Sequence, residues 1–527
     1  MERSNDQLAQ NLIQAMHDWG IQECCMAPGS RNAPLLLTLI QRKEFKLYFW
    51  PEERSAAFFA LGRIKAAGLP VAVVTTSGTA AGELLPATME AYYSGLPLLL
   101  ITADRPRRYR GSGAPQSAEQ VGLFGCYTSF AQDLERGESV CVDDWEQTAP
   151  AHVNVCFEEP KKEVASFDLP FKPSTYQKRT PSFNVSLVEE EFYSFWSKTQ
   201  FPFVIVGALD EKYREAAVNW LSFLQAPVYL EATSGIREEA RLAHLRISRA
   251  NGLWEFAQRC NYPIDGVLRI GGVPTVRLWR DLEDGEGKYR IYNLSELPFS
   301  GLSWSKINPV DLNAFFSWGL QQTLAQPPPF STWKAADERW QKAVQELYFE
   351  EPRAEPSMVH HLSRLIPPYS KVYLGNSLPI REWDLAAVFE KKNFAVAASR
   401  GVNGIDGQIS TFLGFSSSDV QNWGLVGDLT ALYDLAGPWI SSQLDMCVNL
   451  AIINNGGGQI FQPMFGHDLF LNQHQLNFKS FASFWNWDYE YWERVPSKGE
   501  CLKGFRLIEI VPDNQATQRF NRKLGAL

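Results

Sequence analysis

Along the chain, short runs of consecutive apolar residues close on Gly, Pro, Asn or Asp and give way to stretches with helical spacing. Runs that are apolar throughout, rather than alternating, fit strands buried on both faces. Their regular exchange with helices predicts parallel sheets covered on both sides. In the first third, strands are predicted at 22–26, 46–50, 71–75 and 97–102, with helices over 5–18, 33–42, 52–68 and 79–92. The middle third repeats the pattern at 203–207, 228–231, 267–271 and 290–292, and the last third at 372–374, 394–397, 423–426 and 447–453. Residues 157–188, rich in Pro, Lys and Ser, read as a linker, and Pro327, Pro328, Pro329 and a charged helix over 334–350 mark a second. The expectation is an α/β protein of three doubly wound, mostly parallel-sheet domains, at 1–180, 189–335 and 345–527.

Composition narrows the partners. A chain of 527 residues is too long for one core. A net charge of −9 argues against nucleic acid, so an anionic ligand must be held by local arginines. No apolar run approaches the roughly 18 residues of a membrane span. The start, MERSNDQLAQNLIQAMHDWG, is an amphipathic helix without the apolar core of a signal peptide. The eight cysteines have no paired metal spacing and read as buried thiols of a reducing cytoplasm. Of the seven histidines, His467 and His474 fall in a promising region, on the surface or one layer behind a site.

Candidate chemistry collects at strand ends. Residues 424–461 read GLVGDLTALYDLAGPWISSQLDMCVNLAIINNGGGQIF: a strand ending in Gly427-Asp428, a helix opened by Leu429-Thr430, then a strand ending in Asn454-Asn455 before three glycines. A carboxylate and a carboxamide at such ends converge where open α/β sheets bind ligands. Oxygen donors suit magnesium, which keeps few protein ligands and leaves positions for a diphosphate. The glycines let the backbone approach that ligand, and the helix start offers free N–H groups. Taken alone, the stretch also reads as an ordinary pair of βα units with a glycine loop. Elsewhere APGSRNAPL puts Ser30 and Arg31 at a strand end, Glu52-Glu53-Arg54 open a helix, and Thr76-Ser77-Gly78-Thr79 form a capped helix start. ADRPRRYRGSGAPQ supplies Arg105 and Gln116. Ser377 and Arg381 share one face of a helical turn, and Arg400 and Ile405 lie in a Gly-rich turn.

Asp428 and Asn455, 27 residues apart, with the carbonyl of Gly457, resemble the metal and diphosphate motif of thiamine diphosphate enzymes. Leu429, where that superfamily usually has a second glycine, resembles one branch, the 2-succinyl-5-enolpyruvyl-6-hydroxy-3-cyclohexene-1-carboxylate synthases of menaquinone biosynthesis. The segments PGSR, EERSAAFFALG, TSGTA, ADRP, GNS-x3-R, SRG-x2-GIDG, GDL and NN-GGGQIF carry that resemblance, in order, over nearly the whole chain.

The resemblance implies a pyrimidine-binding first domain, a central domain and a diphosphate-binding third domain. It implies thiamine diphosphate with Mg2+ or Mn2+, the metal on Asp428, Asn455 and Gly457. Thr76, Ile405, Gly427, Leu429, Thr430, Gly458, Gln459 and Ile460 would line the cofactor, Ile405 beneath its bend. Glu53 would hydrogen-bond the aminopyrimidine ring and promote loss of the thiazolium proton, a task suited to a buried carboxyl with a raised pKa.

The substrates implied are 2-oxoglutarate and isochorismate, and a supply of arginines fits two dicarboxylates. Ser377, Arg381 and Arg400 fall on the 2-oxoglutarate side. Ser30, Arg31, Arg105, Gln116 and Arg277 fall on the isochorismate side, with Ile460 and Phe461 as apolar wall. Two positions depart from the family: Pro115 stands where Asn is frequent, and Val276 where a lysine precedes Arg277, which reads equally as a surface arginine. The resemblance further implies a homodimer or dimer of dimers, with Glu53 of one subunit facing Asp428 and Asn455 of another. Another thiamine diphosphate decarboxylase or carboligase, or a non-catalytic cofactor-binding relative, are the other readings.

Overall fold

The computed structural model describes residues 4–160, 171, 185–307, 309–497 and 503–527. Among these, sixteen strands form three sheets in which every pairing is parallel. The first comprises β1 (Glu23–Met26), β2 (Lys46–Phe49), β3 (Val71–Thr75), β4 (Leu98–Asp104), β5 (Phe130–Leu134) and β6 (Ala151–Cys156), in the order 2-1-3-4-6-5. The second comprises β7 (Pro202–Val206), β8 (Val228–Leu230), β9 (Gly266–Ile270) and β10 (Arg290–Leu294), ordered 10-9-7-8. The third comprises β11 (Lys371–Leu374), β12 (Ala395–Ala397), β13 (Gln421–Gly427), β14 (Cys447–Ile453), β15 (Asp488–Trp492) and β16 (Phe505–Ile510), ordered 12-11-13-14-16-15. The first and third sheets thus have one winding. Each has the switch in its strand order between its first and third strands, where such sheets open a crevice at the strand C-termini.

The anticipated strands all form, most within a residue or two of their expected ends. Four further strands, β5, β6, β15 and β16, complete the outer sheets. The helix expected over 79–92 is two, Thr79–Gly82 and Leu85–Ser94, because Pro86 lacks the N–H that a continuous helix would use. The start of the first is not side-chain capped as expected: Gly78 holds the cap position at φ +85. The charged helix is Ser331–Glu350, and it buries Trp333, Val344, Leu347 and Tyr348, so it packs rather than spans.

The outer sheets meet through two helices. Glu53–Ala67 is capped at its start by the Glu52 side chain, which accepts from the N–H groups of Arg54 and Ser55, and ends on Gly68 in the left-handed region. It is buried on most faces because it lies against Gln408–Phe415 of the third domain. At Gly62 a Cβ would stand 2.1 Å from the Thr411 carbonyl, and at Gly414 one would stand 2.1 Å from that of Phe59. Only glycine permits this approach. A single apolar cluster accordingly runs from Val71, Val73 and Leu98 through Phe59 and Phe412 to Val426, Leu450 and Leu507.

Most of the 157–188 linker and Cys501 lie outside the described residues. Among the described residues Cys24, Cys25 and Cys156 are buried as expected, whereas Cys260 and Cys447 are half-buried and Cys126 and Cys141, in short surface turns, are exposed, which corrects the expectation at those four. Among the described residues no helix is long and apolar enough to cross a membrane.

Candidate functional site

The C-terminal edge of the third sheet gathers the oxygen donors. Asp428 leaves β13 as the first residue of the helix Asp428–Tyr433 and is buried. Its Oδ1 accepts from its neighbour Leu429 N at 2.6 Å, and its Oδ2 accepts from Gly456 N and Gly457 N at 2.9 Å each. Burial raises its pKa, and those N–H groups and His474 oppose the rise. Gly457 has φ +136, and a Cβ there would lie 2.4 Å from the Leu471 carbonyl, so no side chain fits the loop after β14. The Gly457 carbonyl accepts from Gln459 N at 2.9 Å and keeps a second lone pair. Gly458 N donates to Leu471 O at 2.5 Å, which folds residues 468–474 over the loop.

Asn455 completes the group. Its Nδ2 donates to both carboxylate oxygens of Glu355, at 3.2 and 2.9 Å, while its Oδ1 is buried without a hydrogen-bond partner. An orphaned buried oxygen beside a buried carboxylate is a costly arrangement for a chain on its own and a suitable one for a hard cation. The residues present therefore fit the metal of the expected motif. Gly427 and Thr430 lie at the same helix start, Thr430 buried, and Leu429, Gly458, Gln459 and Ile460 border the loop half-buried, with Phe461 exposed beyond them.

Across the switch from Asp428, β11 ends in Gly375-Asn376-Ser377. Ser377 (φ +74) caps the helix Leu378–Ala386, and Arg381 Nη1 donates to the Ser377 carbonyl at 2.5 Å. Asn376 is 1% exposed and is the hub of this edge: its Nδ2 donates to the carbonyls of Ser399 and Gly404, and its Oδ1 accepts from Arg400 Nη1 at 2.6 Å. Arg400 Nε is buried and unpartnered. Ile405 is half-buried in the turn before Gly407, at which a Cβ would collide with the Phe58 ring.

The central domain grips this helix. Arg237, buried, donates to the carbonyls of Asp384, Ala387 and Val388 at 3.0–3.1 Å, and Ala232 N donates to Asp384 Oδ1 at 2.7 Å. Glu231, at the end of β8, accepts through Oε1 from Thr275 N, Thr275 Oγ1 and Val276 N, while its buried Oε2 has no partner. Burial first, then the Asp384 charge, pushes Glu231 up to about 7, against the pull of Thr275 and Arg400.

At the first sheet, Ser30 is exposed and Arg31 is buried, its Nη1 on Phe157 O and its Nη2 on Glu159 Oε2. Arg105 Nε donates to the carbonyl of Pro115, which ties the loop bearing Gln116 to Arg105 through its backbone. Gln116 is exposed at φ +57, and Gly78 approaches it closely: a Cβ there would lie 3.4 Å from the Gln116 Cα. Thr76 packs against Gly29, where a Cβ would stand 2.5 Å away. Ser30, Arg31, Thr76, Arg105 and Gln116 thus belong to one edge. Arg277 does not join them: its side chain is 83% exposed and paired with Asp281, and Val276 is a core residue.

Glu53 is half-buried, and burial, with Glu52 and Glu83 near, raises its pKa. Its helix touches the third domain through Ser55 on Asp434 and Arg54 on the Tyr433 carbonyl. Among the described residues no hydrogen bond or ion pair joins Glu53 to Asp428 or Asn455 of the same chain.

Several neighbours escaped the sequence reading. Glu355 lies 100 residues before Asn455 with no motif around it. Glu90, 2% exposed, accepts from Gly401 N and Val402 N and so ties the first domain to the Arg400 turn. Gln120, fully buried, accepts from Gly78 N and donates to Ala103 O and Asn154 Oδ1. His474 places Nε2 3.3 Å from Asp428 Oδ2, one layer behind the site as expected, whereas His467 is at the surface.

A family profile described as thiamine pyrophosphate enzyme, N-terminal TPP binding domain, matches residues 6–123. A protein of Bdellovibrio bacteriovorus named 2-succinyl-5-enolpyruvyl-6-hydroxy-3-cyclohexene-1-carboxylate synthase is 41% identical over 532 residues, 99% of each chain. Proteins of the same name from Akkermansia muciniphila and Lysinibacillus sphaericus are 40% and 31% identical, over 96% and 97% of this chain and 96% of their own. A crystal structure from Mycobacterium smegmatis, provisionally described as a thiamin diphosphate-dependent enzyme, superposes with a TM-score of 0.70 at 13% identity, covering 96% of this chain and 99% of that one. At that identity the likeness is one of fold.

Proposed function

The chain belongs to the 2-succinyl-5-enolpyruvyl-6-hydroxy-3-cyclohexene-1-carboxylate synthase family, and on that premise we propose that it decarboxylates 2-oxoglutarate and adds the remaining four-carbon unit to isochorismate, releasing carbon dioxide, in menaquinone biosynthesis. It is a thiamine diphosphate-dependent transferase. When bound, thiamine diphosphate supplies the nucleophilic carbon and takes up the electron pair freed with carbon dioxide. The observation that carries the reading is the orphaned Asn455 oxygen in the loop whose Gly456 and Gly457 N–H groups bind Asp428, in a chain that matches such a synthase over 99% of its length.

Asp428, Asn455 and the Gly457 carbonyl would hold Mg2+ or Mn2+, since all three offer oxygen. Glu53, whose pKa burial raises, would keep a proton to share with the pyrimidine ring. Arg381 and Arg400, with Ser377, would bind the carboxylates of 2-oxoglutarate, and guanidinium suits that task because its fork matches a carboxylate. Ser30, Arg31, Arg105 and Gln116 would receive isochorismate. Arg277, exposed and paired with Asp281, lies outside this group.

We infer further that the site is completed by a second copy, as a homodimer or dimer of dimers. Among the described residues the cysteines form no disulfide, which fits a reducing, cytoplasmic setting. The test is whether purified protein with magnesium and thiamine diphosphate consumes isochorismate only when 2-oxoglutarate is present. Steady release of carbon dioxide from 2-oxoglutarate with isochorismate untouched would contradict the assignment and favour a different carboligase or decarboxylase.

A further inference from the structure

An asparagine amide can present either its oxygen or its NH2 group, and only the oxygen binds a cation. At Asn455 the choice is made from behind. Glu355 opens the helix Glu355–Leu365 and is 3% exposed, and both of its carboxylate oxygens take hydrogen bonds from Asn455 Nδ2. A carboxylate only accepts, so it selects the NH2 face and leaves Oδ1 pointing away from it, where that oxygen is buried and unpartnered.

Glu355 is itself held. The carboxyl of Glu382, 7% exposed, lies in hydrogen-bond contact with it, and its other oxygen, Oε2, has no partner. Burial raises both pKa values, Glu382 the more strongly. Glu382 follows Arg381 on the helix Leu378–Ala386, so the same helix that presents Ser377 and Arg381 braces the cation site from the rear.

We propose that Glu355, braced by Glu382, is a positioning residue that turns the Asn455 oxygen toward the cation and thereby sets cation affinity without touching the cation. The proposal rests on the reading of Asn455 as a metal ligand. A glutamine at 355 can donate as well as accept, so it no longer dictates which face Asn455 shows.

The measurement is Mn2+ affinity in the presence of thiamine diphosphate, read from the electron paramagnetic resonance of free Mn2+, alongside melting of the cation-free protein. Glu355→Gln is expected to weaken Mn2+ binding by about 10- to 100-fold, the usual loss when a ligand's supporting partner is removed. Its cation-free melting temperature should stay close to that of wild type, because the amide is of the same size and still offers Asn455 an acceptor oxygen. Glu382→Gln still donates to Glu355 and should stay within about three-fold of wild type. The double variant Glu355→Gln with Asn455→Asp reverses the hydrogen bond, the glutamine amide donating to the aspartate, yet offers the cation an oxygen, and is expected to recover most of the affinity.

Mn2+ binding by Glu355→Gln at wild-type strength would overturn the proposal, as would a double variant no better than the single one. A Glu355→Gln protein that fails to fold leaves the double variant and Glu382→Gln as the deciding pair. If wild type itself takes up no Mn2+ with thiamine diphosphate, the cation reading falls and this proposal with it; wild-type uptake with an unaffected Glu355→Gln sinks the positioning role alone.

Discussion

The first and third sheets share a strand order, a parallel sense and a position for their switch, yet their C-terminal edges carry opposite equipment. After β3 stand Thr76, Ser77 and Gly78, with arginines and a glutamine gathered round them. β13 ends in Gly427, and Asp428 follows it, met by the N–H groups of Gly456 and Gly457 in the glycine loop after Asn455. The lesson is that topology fixes where a ligand can sit, and a few loop residues decide which part of it is held. The smaller central sheet adds a third case. Among the described residues it offers no comparable donor set, but through Arg237 and Ala232 it fixes the helix that bears Arg381.

The contrast can be broken most severely at the matched positions after β13 and β3. Asp428→Asn should lower synthase activity by about 10³-fold or more, together with cation and cofactor affinity, because the charged oxygen at the cation is lost. Thr76→Ala should cost less than about ten-fold, the worth of one neutral hydrogen bond. Equal losses at the two positions would erase the distinction between the edges.

Next in size, Glu53→Gln should slow exchange of the coenzyme's reactive proton by about 10²- to 10³-fold, as expected for a general acid–base group, and leave Mn2+ affinity unchanged. Normal exchange, followed by NMR in deuterium oxide, would remove Glu53 from its role. Arg400→Ala should raise the KM for 2-oxoglutarate by about 10- to 100-fold, the cost of a charge-assisted contact, and spare thiamine diphosphate binding. Loss of cofactor affinity alone would count against that assignment.

The smallest effect concerns stability. Burial pushes Glu231 up to about 7 from its ordinary 4.5, and Asp384 beside it up to about 6. The folded chain therefore holds protons that the unfolded chain gives up. Their contribution is full below the unfolded pKa and is lost as pH rises toward 7. Glu231→Gln mimics the protonated acid, keeps an oxygen for Thr275, and should match wild type near pH 5 while gaining on the order of 2 kcal/mol at pH 8, measured by thermal melting. A variant less stable than wild type at both pH values would show that the charge is needed.

Much of this architecture was legible, and the exceptions have a common cause. Strands such as β3 and β14 are wholly apolar and bounded by Gly or Asn, so they announce themselves. β6 hides His152 and Asn154 in its centre, where Thr102 and Gln120 satisfy them, and burial holds His152 down to about 4. β16 likewise buries Arg506 on Asn449 and Glu490, and Glu509 under Tyr489. Polar residues paired in the interior break the apolar run on which a strand is recognised. In the candidate site, Asp428, Asn455 and Arg400 could be singled out because each stands at a strand end or tight turn with glycine beside it. Glu355 could not, since a glutamate at a helix start ordinarily complements the helix dipole, and its hydrogen bond to Asn455 spans 100 residues. Arg277 shows the converse: a motif position whose side chain lies on the surface.

The central claim is that two sheets of like winding, in different copies of the chain, act on one coenzyme. Co-expressing Glu53→Gln and Asp428→Asn subunits under separate tags and assaying isochorismate consumption tests it directly. If the acid and the cation residues come from different copies, a mixed pair contains one intact site and one doubly altered site. Random pairing then restores about a quarter of wild-type activity from two nearly inactive parents. If both come from one copy, no mixed pair holds an intact site, and activity no higher than that of the parents alone would contradict the account.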